Sequence, residues 1–136
     1  MSVVEFKHPV MVLSFNYSDL HCCALDGYKG NNEALLNRLK QIDDYFASKS
    51  KVSTYKLWFN IDDNVLTDDI IENIAISLYK INDNIFKLAV IGAGKKKRRF
   101  DKALRKTTFN KPIAYFSDAE SAKEWLVGEK APEWKF

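Results

Sequence analysis

A chain of 136 residues has the length of one compact domain, and at this size a hydrophobic core forms without metal or disulfide staples. Hydrophobic residues make up 46% and charged residues 29%, which excludes a disordered tail or a fibrous repeat. The net charge is +3, no apolar run is long enough to span a membrane, and no secretory signal is visible, so a reduced, cytoplasmic setting is expected.

Val10 to Phe15 is a short apolar run after Pro9 and predicts the first strand, over residues 10–16. Ser18 to Gly30 contains Asp26-Gly27 and Lys29-Gly30 and reads as an irregular, turning connection. Within it, His21-Cys22-Cys23 lacks the ligand spacing of a structural zinc site, and adjacent cysteines do not make an unstrained disulfide; no metal is expected. Asn31 or Asn32 caps a helix running to Lys49, with Leu35, Leu39, Ile42 and Phe46 as its buried stripe.

Tyr55 to Ile61 alternates as a second strand, and Trp58 makes its other face partly apolar, as in a sheet covered on both sides. Thr67 caps the next helix, whose first turn carries Asp68 and Asp69 against the positive end of the helix dipole. Five acids and no base lie between Asp62 and Glu72. The third strand, residues 86–91, breaks at Gly92-Ala93-Gly94. A basic helix follows, with Lys95, Lys96, Lys97, Arg98, Arg99, Lys102, Arg105 and Lys106 against one acid, Asp101. Phe100, Ala103 and Leu104 form its inward stripe. Residues 112–116 predict a fourth strand, and Asp118 caps a last helix containing Ala122, Trp125 and Leu126.

The order βαβαβαβα predicts a single α/β domain over residues 1–128, a mostly parallel four-stranded sheet flanked by helices, with residues 129–136 as a loosely attached tail. Phe86 to Gly92 (Phe-Lys-Leu-Ala-Val-Ile-Gly), a helix, and then Tyr115 to Leu126 (Tyr-Phe-Ser-Asp-Ala-Glu-Ser-Ala-Lys-Glu-Trp-Leu) resemble the STAS-like group. These are small bacterial proteins related to the anti-sigma-factor antagonists. The resemblance extends over about residues 9–127. It implies a regulatory or ligand-binding α/β domain rather than a particular chemistry. The phosphorylated serine of true antagonists has no counterpart in Val65 to Ile70, where Thr67, Asp68 and Asp69 stand instead.

Candidate chemistry is sparse. Asp62-Asp63 ends a strand, where α/β sites lie, but neither histidine has a nucleophile-and-carboxylate context, so no enzyme activity and no cofactor are expected. Gly92, Gly94 and Lys95 lack the spacing of a nucleotide phosphate loop. Three readings result. The first is a protein-binding regulatory domain, homo-oligomeric association included. The second is a small apolar or anionic ligand in a crevice at Asp62, Asn64, Gly92, Gly94 and Lys95. The third is weak binding of nucleic acid or an anionic membrane surface through the basic helix, residues 95–106. Nucleic acid is disfavoured, because Phe100 is the only interleaved aromatic and belongs to the inward stripe.

Overall fold

The computed structural model describes residues 9–128, so the tail assigned to 129–136 lies outside the described residues. Five strands form one sheet: β1 (Val10–Phe15), β2 (Ser18–Ala24), β3 (Tyr55–Asn60), β4 (Ile85–Ile91) and β5 (Ile113–Phe116). The helices are α1 (Asn32–Ala47), α2 (Asp68–Lys80), α3 (Lys97–Arg105) and α4 (Ala119–Leu126). Strand order follows chain order; β1 and β2 are antiparallel and all later pairs are parallel.

The four-stranded expectation is therefore corrected to five, because part of the connection expected after Phe15 is β2. Asn16 and Tyr17 both have positive φ (49° and 64°), as a two-residue turn matching strand twist requires, and Phe15 pairs directly with Ser18. Leu20, His21, Cys22 and Cys23 are all buried, so tertiary packing decides the conformation of this segment. The irregular stretch is real but begins later, where Gly27, Lys29 and Gly30 have positive φ.

Each β-α-β unit steps the same way along the sheet, which places α1, α2 and α3 on one face. Their stripes (Leu35, Leu39, Ile42, Phe46; Ile70, Ile71, Ile74, Leu78; Phe100, Leu104) pack on Leu57, Phe59, Leu88, Val90 and Tyr115. The helix α4 covers the opposite face, where Ala122, Trp125 and Leu126 meet Ala89, Ile91, Ala114 and Phe116. Lys87 holds its end: Nζ donates to the Trp125 carbonyl at 2.9 Å and sits 4.5 Å from the centre of the Trp125 ring. The caps expected at Asn31 or Asn32, at Thr67 and at Asp118 form, the first at Asn31, with the side-chain oxygens accepting from the Ala34, Ile70 and Ser121 amides.

Candidate functional site

The loops beyond the carboxyl ends of β2 and β3 are laced together. The Leu25 amide donates to the Asn60 carbonyl at 2.8 Å, Gly27 to Asp62 at 3.1 Å and Lys29 to Asp63 at 3.1 Å. Asn64 is the centre of this lacing. Its Nδ2 donates to the carbonyls of Leu25 (2.7 Å), Ile61 (3.0 Å) and Asp62 (3.2 Å), and its Oδ1 accepts from the Tyr28 amide (3.2 Å). The amide predicted as a ligand group is thus spent on backbone, a role that single-residue chemistry in the sequence does not announce.

Beyond β4, Gly92 has φ +86° and its amide donates to the Phe116 carbonyl. A Cβ at this position would lie 2.5 Å from the Asp62 Cα. Glycine is required because two loop backbones cross in contact, so Gly92-Ala93-Gly94 serves as a tight turn. Beside this crossing is a hollow of about 320 Å³ lined by Asp62, Gly92, Gly94, Lys97, Phe116 and Ser117, among others. The predicted set is therefore partly assembled: Asp62, Gly92 and Gly94 converge, whereas Asn64 and Lys95 are not in the lining. Lys97 and Ser117 take their places. Ser117 follows β5 directly, so the rule that sites form beyond strand ends would have found it.

The hollow offers one exposed carboxylate and one half-buried ammonium, an arrangement that can orient a polar ligand. Among the described residues its lining has no thiol, imidazole or carboxylate pair for acid–base work. No group of three or more His, Cys, Asp or Glu side chains converges among the described residues. His21 and Cys23 face the α1 side of the sheet and Cys22 the other, so adjacent residues point to opposite faces. Burial pushes the Cys22 thiol up to about 12 and raises Cys23 as well, which keeps both protonated and unreactive.

His21 is buried against Tyr55 (ring centroids 4.3 Å apart) and Phe46, and burial lowers its pKa, with Asp19 opposing and Lys49 adding to the shift. The fold therefore holds the neutral ring. The unfolded chain takes up a proton first, so stability is complete above about pH 6.5 and erodes as pH falls below it. The slope reaches at most ~1.4 kcal/mol per pH unit. The raised pKa values of half-buried Asp43 and buried Asp101 act with the opposite sign, lower down in the carboxylate range. Urea unfolding at about pH 7.5 and about pH 5.5 should show wild type losing stability and His21→Leu losing much less. Equal losses in the two proteins would remove His21 as the cause.

On α3 and the turn before it, Lys95, Lys96, Arg98, Arg99, Lys102, Arg105 and Lys106 are exposed and Lys97 is half-buried. Some of these charges are committed. Arg99 pairs with Asp68 at the start of α2, and Arg105 Nε donates to the buried Asp101 at 2.9 Å. The acidic and basic segments are thus neighbours within one molecule, and part of the attraction between them is satisfied internally. Lys95, Lys96, Arg98, Lys102 and Lys106 make no ion pair among the described residues.

Comparison with models of known families, with curated proteins and with solved structures finds no match for this chain. No helix among the described residues is long and apolar enough to cross a membrane.

Proposed function

We propose that this chain is a non-catalytic regulatory domain of the STAS-like type, and that it works by binding an acidic protein partner through α3. Sequence supports the family reading through the Phe86–Gly92 strand and the Tyr115–Leu126 ending. The fold is compatible with it, with α1 to α3 on one face of a largely parallel sheet and the Trp125-Leu126 helix on the other. The observation that carries the binding reading is the set of five exposed basic side chains left without carboxylate partners among the described residues. They stand on and immediately beside a helix anchored by buried Phe100 and Leu104. A fixed field of this kind speeds encounter and orients an acidic surface more than it adds raw affinity. The hollow beside Asp62 favours a second reading, a small polar ligand, because an ammonium and a carboxylate face one space there.

The test replaces Lys96, Arg98, Lys102 and Lys106 by Gln, leaving Arg99, Arg105 and half-buried Lys97 in place. Circular dichroism should show an unchanged fold, since none of the four is buried. Recovery of an identified acidic partner should fall about tenfold or more, and wild-type recovery should weaken as salt rises. Equal recovery by both proteins would reduce the basic run to a solvated face.

A further inference from the structure

A groove of about 590 Å³ lies on the side of α2 away from α3, between α1 and α2. Both helices return from the carboxyl to the amino ends of parallel strands, so they run side by side in the same sense. The floor of the groove is apolar (Leu39, Phe46, Ile81), and Ile76 stands at its lip with 49% of its surface exposed.

Charge along the groove is uneven. In its wall, Asp43 accepts from the Ser77 hydroxyl at 3.0 Å and lies 4.0 Å from Lys80 Nζ, while its other oxygen is buried without a donor among the described residues. Lys40 is taken by Asp44. At the end where both helices finish, Lys49 and Lys51 have no carboxylate within ion-pair distance among the described residues; Lys49 lies 4.6 Å from the centre of the Tyr45 ring. Lys80 is in the last turn of α2, where a cation answers the helix dipole. Lys51 is three residues past the α1 cap Ser48, beyond the reach of that effect.

We propose that this groove docks an amphipathic helical segment of a partner protein, one whose apolar stripe is flanked by glutamate or aspartate. Two packed helices leave a furrow that a third fills with an i, i+3, i+4, i+7 stripe. The lysines supply the charge complement at one end. The proposal shares with the reading of α3 the expectation of an acidic protein partner, but it uses different residues.

The probe is a fluorescein-labelled helical peptide of about 14 residues, with leucines at that spacing and glutamates elsewhere; its counterpart carries lysines for the glutamates. Anisotropy with the full chain at about 0.15 M salt should show the glutamate peptide binding at least about tenfold more tightly. The double variant Lys49→Glu, Lys51→Glu should reverse that preference, and Ile76→Asp should weaken the glutamate peptide about tenfold. The four-fold Gln variant of α3 should bind it as wild type does. Absence of binding, or binding indifferent to Lys49→Glu with Lys51→Glu, overturns the groove proposal. Loss of binding in the α3 variant alone overturns it too, while upholding α3 as the acidic docking face.

Discussion

Gly92→Ala is expected to be among the most damaging single substitutions in the chain, costing more than about 3 kcal/mol. Two costs add. A side chain at φ +86° is strained by roughly 1–2 kcal/mol, and the new Cβ would fall 2.5 Å from the Cα and Cβ of Asp62 and 2.6 Å from its nitrogen. The obstructing atoms are mostly backbone, pinned by Gly27 and Asn64 through the Asp62 carbonyl, so they have no easy retreat. Gly94→Ala is the control. Its φ is also positive, +56°, but nothing lies within 4 Å of the added methyl, so only about 1 kcal/mol is expected. Urea titrations of the two variants separate close approach from conformational strain. Equal losses would mean that the loops at Asp62 move aside freely and that the hollow beside them is not rigid.

That crossing also shows what kind of information a sequence carries. The helix caps at Asn31, Thr67 and Asp118 were legible because capping is local: a side chain reaches an amide three residues on. The alternation of Tyr55 to Ile61 and the α1 stripe were legible because burial imposes a period. β2 was not. Its turn uses Asn16-Tyr17 in place of the usual glycine-containing pair, and its strand contains Asp19, His21 and two cysteines, none of them strong strand formers. Only the partners Met11, Leu13, Leu57 and Phe59 across the sheet make it a strand, and those are tertiary facts. The candidate site divides the same way. Strand ends located Asp62 and Gly92, but the work of Asn64 depends on bonds to residues up to 39 positions away, which no local pattern encodes. The basic run was plain in the sequence, whereas the partial neutralisation of Arg99 by Asp68 depends on α2 and α3 packing side by side.

The basic helix sets up the other large effect. Phe100 is fully buried and meets the Tyr115 ring edge-on at 6.0 Å, so Phe100→Ala should cost about 3–5 kcal/mol. The loss should fall unevenly. With nine residues, α3 is too short to hold its own backbone in water. Its charges work against it as well: Lys95 and Arg99, Arg98 and Lys102, and Lys102 and Lys106 are like-charged pairs four residues apart. Against these stand the Arg105–Asp101 contact and the exposed Arg99–Asp68 pair, the latter worth under about 1 kcal/mol. Phe100 and Leu104 are therefore the main restraints that keep eight positive charges against the sheet. With Phe100 gone, α3 should open locally before the sheet does. Hydrogen exchange by mass spectrometry is expected to show residues 97–105 losing protection well beyond that of β3 and β4. Raising salt to about 0.5 M should restore part of it by screening the like charges. If α3 and β3 lose protection together, with no response to salt, the helix is an integral part of the core. A partner meeting its basic face would then be meeting a rigid surface, with no opening of α3 for binding to regulate.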